Sequence, residues 1–589
     1  MQILRWVFKL LPLYLLADSF SRLAIAEDDP VAGARCSELD RASLLSFKAT
    51  ILMDTTDILS SWRGGACCGG DWEGVSCNSQ GRVTSLVLQR PAEMKEMYMR
   101  GTLSPSLGKM VFLETVVISG MKRISGGIPG GLAKLARLTY LVLEDNSLEG
   151  EIPASITEMA NLNVLSLSGN RLTGKIPAGI GGLRKLQQLS LARNFLTGPL
   201  PAAVRSLASL ENVDLSSNML SGSIPDDVDA LRNLTYLDLS GNRFSGKIPS
   251  SVFGHAGLQE LLLNDNALCG NLSSGFNGLR SLARLHLGAN NLSGPIPPFI
   301  AEMGSLWYLN LSQNAFTGAL PAMPSTSLPA LLQIDLSYNQ LGVGTVPDWI
   351  LEKEVMVVHL AGCKLRGAMP AFKQPGSLTS VDLSDNSISG GISGFFTNMT
   401  SLQDLKLSHN FLQIDVEHLE LPEQLSTVSL HGNFLRGSLS RFLNKTSSSL
   451  EELDLSRNQI SGNIPEFGKD SSLKVLILGS NNITGRIPDS ISNLNQLLKL
   501  DLSRNFLTGS IPPSMGLLSN LKWLDLSINL LAGRIPNTLL EIRNITHGNF
   551  KGNLLCGEIP QGRPFNAFKP IAYAHNRCLC GKPLTPCRT

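Results

Sequence analysis

Hydrophobic and polar residues alternate along this chain in a short pattern that returns about every 24 residues. The stretch Leu497–Gly516, LLKLDLSRNFLTGSIPPSMG, is a representative copy. In it, Asp501 separates Leu500 from Leu502, and Lys499 precedes them. Because the side chains of a strand point alternately to its two faces, the leucines must face a core and the polar residues must face water or a partner. The pattern therefore predicts a short strand in every unit.

One asparagine occupies the same position in nearly every unit. We find it at Asn146, Asn170, Asn194, Asn218, Asn242, Asn266, Asn290, Asn314, Asn339, Asn386, Asn410, Asn433, Asn458, Asn481, Asn505, Asn529 and Asn553. Lys122 and Cys363 take this position in two units that lack it. Backbone groups would be buried without partners where the chain leaves each strand. An Asn side chain both donates and accepts, so we expect a ladder of these side chains from turn to turn.

The full unit reads L-x-x-L-x-L-x-x-N-x-L-x-G-x-I-P and resembles the plant-type leucine-rich repeat. The resemblance implies an α/β solenoid, a right-handed superhelix of about 20 repeats with disulfide-stapled caps at both ends. The Ile-Pro half of each unit favours an irregular or second-sheet segment over a long helix, because proline fixes φ and lacks a backbone donor.

The N-terminus has the features of a secretory signal. Arg5 and Lys9 precede the apolar stretch Leu10–Ala17, and small residues lead to Ala26. We expect cleavage after Ala26. The apolar run is too short to span a bilayer stably, and a membrane anchor is the alternative. No later stretch reaches 18 apolar residues, so we expect no membrane span in the mature chain.

We expect four segments along the chain: a signal peptide over 1–26, an N-terminal cap over 27–80, the solenoid over 81–555 and a C-terminal cap over 556–589. In the first cap, Ser37 and Asp40 predict the start of a short amphipathic helix. Two irregular stretches interrupt the repeats. Residues 321–330 are rich in proline, and residues 413–424, QIDVEHLELPEQ, replace the G-x-I-P half of one unit with acidic residues.

The cysteines gather at the two ends of the repeats. Four precede the repeats (Cys36, Cys67, Cys68, Cys77) and four follow them (Cys556, Cys578, Cys580, Cys587). Even groups of this kind predict disulfides in an oxidising compartment. A zinc site that uses the Cys578-Leu579-Cys580 pair is the alternative, but its spacing fits no common zinc pattern. Four cysteines allow three connectivities, and the spacing alone does not choose among them.

Both ends also resemble known caps. The stretch LSSWRGGACCGGDWEGVSC resembles the N-terminal cap of plant extracellular leucine-rich-repeat proteins. The stretches NLLCGEIP and CLCGKPL resemble the C-terminal cap of polygalacturonase-inhibiting proteins, which have about half as many repeats. The resemblance implies the pairs Cys36–Cys67, Cys68–Cys77, Cys556–Cys578 and Cys580–Cys587. Cys269 and Cys363 are then expected to be free thiols.

Charge and motif content narrow the function. The net charge is +2 with no long charged run, which argues against nucleic acid or an anionic membrane as the main partner. Asp501 and Asp525 belong to a column of aspartates expected about 5 Å apart, a spacing that retaining glycosidases also use. However, Asp-Leu-Ser is the consensus of the repeat, and a catalytic pair needs two different environments. We therefore predict no enzyme, no cofactor and no metal.

Departures from the consensus on the exposed strand face are better candidates for binding, because the scaffold does not require them. We select Tyr236, Asn264, Asp265, His286, Tyr308, Tyr338, His359, Lys406, His409, His431, Arg457, Lys499, Arg504 and Trp523. Aromatic residues and arginine are frequent anchors of protein interfaces, and a solenoid offers an extended concave face for them. His409 and His431 lie in neighbouring repeats and could respond to an acidic medium.

Eight sequons for N-glycosylation fit a secreted glycoprotein. They begin at Asn233, Asn271, Asn291, Asn310, Asn398, Asn444, Asn482 and Asn544. Asn310 lies between two core leucines on the inner face, so a glycan there would cover part of the binding surface.

These observations lead to one main hypothesis and two alternatives. The main hypothesis is a secreted recognition protein that binds a protein or peptide on its concave face. It would act in plant signalling or defence, in the cell wall space or at the plasma membrane beside a receptor kinase. The first alternative is an inhibitor of microbial cell-wall hydrolases such as a polygalacturonase. The second is a structural, wall-associated protein.

Overall fold

The computed structural model describes residues 36–91, 93–272, 278–392, 394–445 and 449–587, without the side chains of residues 441, 444 and 445. The predicted signal peptide and the first residues of the predicted cap lie outside this part. The chain divides into two units, Met1–Phe244 and Ser245–Thr589. Each unit is a stack of leucine-rich repeats, with one strand of a parallel main sheet in each repeat.

The main sheet of the first unit begins with the antiparallel strand Val75–Cys77 and continues in parallel. Its parallel strands are Val83–Gln89, Thr115–Ser119, Tyr140–Val142, Val164–Ser166, Gln188–Ser190, Asn212–Asp214 and Tyr236–Asp238. A second sheet lies on the flank, as the Ile-Pro pattern predicts. Its strands are Ile51–Asp54, Met99–Thr102, Lys122–Gly126, Ser147–Glu151 and Arg171–Thr173, with Thr197–Gly198, Met219–Gly222 and Arg243–Lys247 continuing the series.

The main sheet of the second unit is wholly parallel across its described strands. They are Glu260–Leu262, Arg284–His286, Tyr308–Asn310, Gln333–Asp335, Val357–His359, Ser380–Asp382, Asp404–Lys406, Thr427–Ser429, Glu452–Asp454, Val475–Ile477, Lys499–Asp501, Trp523–Asp525 and His547–Asn549. The short flanking strands are Ala267–Asn271, Asn291–Pro295, Ala315–Gly318, Gln340–Leu341, Arg366–Gly367, Ser387–Gly390, Phe411–Leu412, Ser461–Asn463, Asn482–Thr484, Ala532–Gly533, Leu554–Glu558 and Cys578–Cys580.

The helices in the described part of the chain are short. The described α-helices are Glu38–Thr50, Ser250–Phe253, Asp348–Leu351 and Leu439–Lys445. The described 3-10 helices are Ile58–Ser61, Pro105–Lys109, Gly130–Lys134, Ala154–Glu158, Ala178–Gly182, Ala202–Ser206, Val228–Ala230, Pro298–Glu302, Pro375–Ser377, Val416–His418, Asp489–Asn493, Pro513–Leu517, Asn537–Glu541, Phe565–Ala567 and Pro570–Tyr573. Most begin directly after a proline, since the fixed φ of that residue suits a helix start.

The first helix begins near the predicted residue but for a different reason. Glu38 is its first residue, yet the side chain of Ser37 caps no backbone group. Asp40 is fully buried and accepts hydrogen bonds from the Arg82 guanidinium at 2.8 and 3.0 Å and from the Val83 backbone at 3.1 Å. Asp40 therefore fastens the helix to Val83–Gln89, the first parallel strand of the main sheet, instead of capping its own helix.

The asparagine ladder is confirmed. The Asn505 side-chain nitrogen donates to the carbonyls of Leu478, Leu502 and Ser503, at 3.0, 3.2 and 3.1 Å. Its oxygen accepts from the Ile483 backbone at 3.1 Å. Equivalent bonds recur along both units. The leucines beside each asparagine are buried, and together they form the core.

Two details of the ladder differ from the sequence prediction. Lys122 is exposed, and Met121, fully buried, lies opposite Asn146 because Thr115 pairs with Tyr140 in the sheet. A further rung exists at Asn576, whose nitrogen donates to Phe550 and Tyr573 and whose oxygen accepts from Leu555. Asn576 follows a histidine in a stretch without the repeat consensus, so the sequence pattern missed it.

Cys363 takes the asparagine position as predicted. Its sulfur donates to the Leu336 carbonyl at 3.3 Å, which reproduces one of the asparagine bonds. Burial raises the pKa of this thiol to about 12, so it stays protonated and able to donate. Cys269 is the other free thiol and is exposed.

Each end of the chain carries two disulfides, Cys36–Cys67 and Cys68–Cys77 at the first and Cys556–Cys578 and Cys580–Cys587 at the second. They are the pairs that the resemblance implies. At the first end, Trp62 and Trp72 stack beside them with ring centroids 5.4 Å apart. At the second, Phe550 and Tyr573 stack at 5.6 Å. These aromatic pairs bury the ends of the stack where no further repeat follows.

Candidate functional site

The candidate site is the open face of the main sheet in the second unit, meaning the side chains of strands 260–549 that point away from the leucine core. Three positions of each repeat contribute, here named after the unit at Lys499. The strand-start position is that of Lys499, the strand-end position is that of Asp501, and the turn position is that of Arg504. Tyr236 lies in the first unit, where its hydroxyl is 3.3 Å from the Asp238 carboxylate.

Aspartates at the strand-end position serve the scaffold. Asp501 and Asp525 each accept a hydrogen bond at 2.9 Å from the backbone nitrogen two residues later, Ser503 and Ser527 respectively. Asp335, Asp382 and Asp454 do the same. Such a bond fixes the turn that leaves the strand. Burial raises the pKa of Asp501, but its backbone bond is the same as those of its neighbours, as expected of a repeated structural residue.

The turn position imposes a left-handed backbone on whatever residue occupies it. Asp265, Tyr338, His409, Arg457 and Arg504, all predicted as binding residues, have φ between 51° and 55° there. Non-glycine residues adopt this conformation rarely. The fold requires it at each repeat, because the residue precedes the buried ladder asparagine. The side chain consequently stands at the edge of the open face, where all five are exposed.

A first cluster on the open face surrounds Tyr308. The Arg284 guanidinium lies 5.0 Å from the centre of its ring, and His286 and Trp307 meet the ring edge-on, each with centroids 5.7 Å apart. Arg284 also pairs with Glu260 at 3.6 Å. Burial, and then the nearby Arg284 charge, lower the pKa of His286 to about 4, so it is neutral at extracellular pH. The cluster presents aromatic and cationic groups together.

A second cluster continues over the next strands as a relay of polar side chains. His359 Nε2 lies 2.9 Å from Ser380 Oγ, which lies 3.0 Å from Asp404 Oδ2, and Lys406 pairs with Asp404 at 3.3 Å. His359 Nδ1 is 4.0 Å from Asp335. Five groups on neighbouring strands thus form one continuous polar strip.

The strip contains Asp335, His359 and Ser380 in the order of a hydrolytic triad. Two features argue against that role. Asp404 competes for the Ser380 hydroxyl proton. The Ser380 backbone nitrogen is bonded to the Met356 carbonyl, so it is not available to stabilise an oxyanion. The strip is better suited to hydrogen-bond a polar ligand.

Two side chains at the turn position reach across a glycine in the next repeat. The Tyr338 ring passes over Gly362, and its hydroxyl donates to Asp385 Oδ2 at 2.8 Å. The His409 ring passes over Gly432. In both cases only a glycine leaves room, since an added Cβ would lie 3.0 Å from the tyrosine ring or 2.7 Å from the imidazole. Burial and the Asp385 bond raise the pKa of Tyr338 to about 12.

His409 and His431 meet through their Nε2 atoms at 2.9 Å, with rings nearly perpendicular. His431 Nδ1 lies 3.2 Å from Ser429 Oγ and 3.6 Å from Asp454 Oδ2. Burial lowers the pKa of His431, and Asp454 opposes this while His409 and Arg457 add to it. The structure therefore brings together the two histidines that the sequence singled out.

A third cluster lies at the C-terminal part of the open face. Trp523 stacks on His547 with ring centroids 3.5 Å apart, and Lys499 Nζ is 5.4 Å from the Trp523 ring. Trp523 remains 39% exposed. Arg504, five residues after Lys499, is also exposed. Three further exposed residues are apolar and directly follow ladder asparagines: Phe506, Leu530 and Leu554.

Sequence reasoning missed several members of these clusters. Arg284, Trp307 and His547 occupy strand-start positions or the position before, and their departure from the consensus was visible in the sequence. The exposure of the apolar row Phe506, Leu530 and Leu554 could not be predicted, because the pattern does not say whether the residue after the asparagine is buried or exposed. Asn264 contacts its neighbour Asp265, at 2.7 Å, and no other selected residue by a described hydrogen bond.

The sequons differ in accessibility. Asn233, Asn271, Asn291, Asn398, Asn482 and Asn544 are exposed. Asn310 is only 9% exposed, and its nitrogen, the atom that would carry the sugar, lies 3.4 Å from the Tyr308 hydroxyl and 3.3 Å from Asp335. The side chain of Asn444 lies outside the described part of the chain.

Comparison with known proteins agrees with this architecture. The family model of the leucine rich repeat matches residues 136–196, 184–244 and 471–531, and a second repeat model matches 377–399 and 449–469. The model of the leucine rich repeat N-terminal domain matches residues 37–78.

Curated relatives match over shorter stretches. Receptor-like protein EIX2 of Solanum lycopersicum is 28% identical over 24% of this chain and 16% of its own length. A polygalacturonase inhibitor of Vitis vinifera is 32% identical over 21% of this chain and 36% of its own length. The chain thus aligns with well under half of each of these relatives.

Solved structures match over most of the chain. The ectodomain of the receptor kinase GASSHO1/SCHENGEN3 from Arabidopsis thaliana, in complex with CASPARIAN STRIP INTEGRITY FACTOR 2, has a TM-score of 0.66 at 31% identity, covering 87% of this chain and 62% of that one. The Arabidopsis receptor kinase HAESA ectodomain, in complex with an IDA peptide hormone ligand, has a TM-score of 0.61 at 29% identity, covering 93% and 99%.

The repeats, the stapled ends and these matches show that the chain has the fold of a plant-type leucine-rich-repeat protein. It is similar to the ectodomains of plant receptor-like proteins and receptor kinases. No helix in the described part of the chain has both the length and the apolar composition needed to cross a bilayer.

Proposed function

We propose that this protein is a non-enzymatic, extracellular recognition protein that binds an extended peptide or a protein segment along the open face of its second unit. The observation that carries this proposal is the run of non-consensus side chains from Arg284 to His547. Aromatic and cationic residues of this kind anchor protein interfaces. They lie on neighbouring parallel strands about 4.8 Å apart, a spacing that offers an extended ligand one contact per repeat or so.

The chemistry of the face suits a polar peptide with aromatic or apolar anchors. The Tyr308 cluster and the Trp523–His547 stack provide flat rings, while the His359–Ser380–Asp404 strip provides donors and acceptors between them. Both structural neighbours named above were solved with a peptide or protein ligand. Another neighbour is HAESA with the co-receptor SERK1, which supports a receptor kinase as the second partner. Four disulfides and the extracellular nature of the relatives support a place in the plant cell wall space.

Capture from a plant cell-wall extract tests the proposal. The immobilised protein should retain a peptide or protein that mass spectrometry identifies, and Tyr308→Ala and Trp523→Ala should each reduce its recovery. Leu517→Ala is the matched control, because Leu517 is a 70% exposed apolar residue in the 3-10 helix Pro513–Leu517, outside the open face. Equal recovery by all three variants would place the ligand elsewhere.

Inhibition of a microbial cell-wall hydrolase is the second candidate, because the relatives include polygalacturonase inhibitors. A fungal polygalacturonase assayed with micromolar protein separates the two functions. Loss of activity that depends on the open face would favour the inhibitor, and unchanged activity would exclude it for that enzyme.

A further inference from the structure

A cavity of about 940 Å³ opens on the second unit between the non-strand parts of two neighbouring repeats. Its lining residues come from the stretches 391–392, 394–400 and 413–424. The second stretch is the acidic segment QIDVEHLELPEQ that replaces the usual G-x-I-P half of the repeat. The cavity belongs to none of the clusters on the open face of the main sheet.

The cavity exists because the repeats around it lack their usual filling. Elsewhere, consecutive repeats place five-residue 3-10 helices side by side, as in Asp489–Asn493 and Pro513–Leu517. Here the described part of 391–400 forms only turns, and 413–424 contains the single short helix Val416–His418. Two neighbouring segments therefore fail to meet, and the space between them stays open.

One sequon lies in the wall of this cavity. Asn398 and Thr400, its first and third residues, both line the space, while Met399 between them is buried and fixes the segment. Asn398 is exposed and has a left-handed backbone with φ of 64°. A sugar attached to Asn398 would begin inside the cavity. Asn271, Asn482 and Asn544 do not line it.

The lining suits the core of a glycan. Phe396 is half-buried and offers an aromatic surface to the apolar face of a sugar ring, together with Pro422. Gln413 and Gln424 can donate and accept, and the carboxylates of Asp415, Glu420 and Glu423 can accept from hydroxyl and N-acetyl groups. The volume is in the range of about 300–1,000 Å³ typical of pockets that enclose drug-sized molecules, which is also the size class of a disaccharide.

We propose that Asn398 carries an N-linked glycan whose two core N-acetylglucosamine residues occupy this cavity and stabilise the irregular repeat. Covalent attachment favours this occupant over a free ligand, because a tethered group has an effective concentration in the millimolar range. The inference rests on the extracellular location in the proposed function, since only export gives access to the glycosylation machinery.

The chemistry of attachment is a glycosyl transfer. A lipid-pyrophosphate-linked oligosaccharide of the secretory pathway is the donor. A bond forms between Asn398 Nδ2 and C1 of the first sugar, the bond from C1 to the pyrophosphate oxygen breaks, the amide nitrogen loses a proton, and the lipid pyrophosphate leaves. Thr400 supplies the hydroxyl that defines the sequon.

Enzymatic release of the sugar tests where it lies. The secreted protein is produced with high-mannose glycans, and occupancy at each sequon is measured by peptide mass spectrometry. Endoglycosidase H cleaves between the two core sugars, so the folded protein should lose the Asn398 glycan at least tenfold more slowly than the glycans at Asn482 and Asn544. After unfolding, the rates should become equal.

Variants test whether the sugar contributes to stability. Asn398→Gln and Thr400→Ala both remove the sequon, and both should lower the melting temperature by the same few degrees. Thr400→Ser keeps the sequon and should melt at the same temperature as the natural protein. Asn482→Gln is the control, and it should also leave the melting temperature unchanged.

The outcomes distinguish this inference from the proposed function. An unoccupied Asn398 in a protein glycosylated at other sequons would overturn the inference alone, as would equal release rates with unchanged melting. Absence of sugar from every sequon of the secreted protein would also overturn the inference alone, whereas failure of the secreted protein to retain a ligand from cell-wall extract would contradict the proposed function.

Discussion

The hydroxyl of Tyr338 donates to the carboxylate of Asp385 at 2.8 Å, although the two residues belong to repeats that are not neighbours. Gly362 occupies the intervening position, and its lack of a side chain lets the tyrosine ring pass. The same arrangement recurs in the first unit, where Asp145 passes Gly169 to pair with Arg193 at 3.1 Å. A glycine at the turn position thus couples residues two repeats apart.

Replacement of that glycine should break the coupling. Gly362→Ala would place a Cβ 3.0 Å from the Tyr338 ring, at a residue whose φ of 64° disfavours any side chain. We expect a destabilisation of about 1 kcal/mol or more, seen as a lower melting temperature and faster hydrogen exchange around residues 337–386. Gly304→Ala is the control, because nothing lies within 4 Å of its added Cβ. Equal melting of the two variants would contradict the prediction.

Loss of one ladder rung should cost more than loss of a surface amide. Asn505→Ala removes the oxygen that accepts from the buried Ile483 backbone N–H, and a buried unpaired polar group costs about 1–3 kcal/mol. The carbonyls of Leu478, Leu502 and Ser503 each lose one donor but keep another. Asn520→Ala removes one exposed bond, to the Asn495 carbonyl at 2.9 Å. Thermal unfolding followed by circular dichroism should show a clear drop for Asn505→Ala and almost none for Asn520→Ala.

The lowered pKa of His286 makes stability depend on pH in a defined direction. In the unfolded chain this histidine binds a proton near pH 6.5, whereas in the folded protein it does so only near pH 4. Stability is therefore full above pH 6.5 and is lost as the pH falls toward 4, by at most about 1.4 kcal/mol per pH unit. The true loss is smaller, since water partly screens this half-buried side chain.

His286→Gln should flatten this part of the profile. Between pH 7.5 and 4, the melting temperature should fall less steeply with decreasing pH in the variant than in the natural protein. His418→Gln, which changes a 73% exposed histidine, is the control and should leave the profile as it is. A residual slope is expected from His431, whose pKa burial also lowers.

Protonation of His431 should loosen its own repeat and that of His409. Burial lowers the pKa of His431, so the folded protein resists this proton, and a charge on the ring disturbs its 2.9 Å contact with His409 Nε2. Asp454 and Asp385 counteract this charge, and Arg457 adds to it. We expect hydrogen exchange over residues 407–433, corrected for intrinsic rates, to increase between pH 7.5 and 5. His409→Gln should abolish the increase, and an increase that persists would assign it to other groups.

The repeats could be predicted from the sequence because each one must satisfy the same local needs. Leu500, Leu502 and Asn505 are dictated by a core and by a buried turn, so their spacing reveals the sheet and the ladder. The prediction was wrong at Lys122. Thr115 pairs with Tyr140, which is 25 residues later, so Met121 and not Lys122 takes the asparagine position of this repeat. A change of one residue in the repeat spacing can be recognised only from the register with which the strand pairs with its neighbour.

The contacts of the candidate site were less predictable for a similar reason. That Tyr338 and His409 are exposed follows from their position before the ladder asparagine. That Tyr338 reaches Asp385 depends on a glycine in another repeat, and that His409 reaches His431 depends on ring orientations that no sequence pattern encodes. The strip from His359 to Asp404 likewise joins three strands, each of which looks ordinary by itself.

The affinity of the captured ligand for variants of the open face tests the central claim most directly. With a ligand identified from cell-wall extract, calorimetry on the double variant Tyr308→Ala and Trp523→Ala should give a Kd at least about thirtyfold weaker than the natural protein, as expected for the loss of interface anchors worth about 2 kcal/mol. Leu517→Ala should bind unchanged. A double variant that binds as tightly as the Leu517→Ala control would contradict binding on the open face of the second unit.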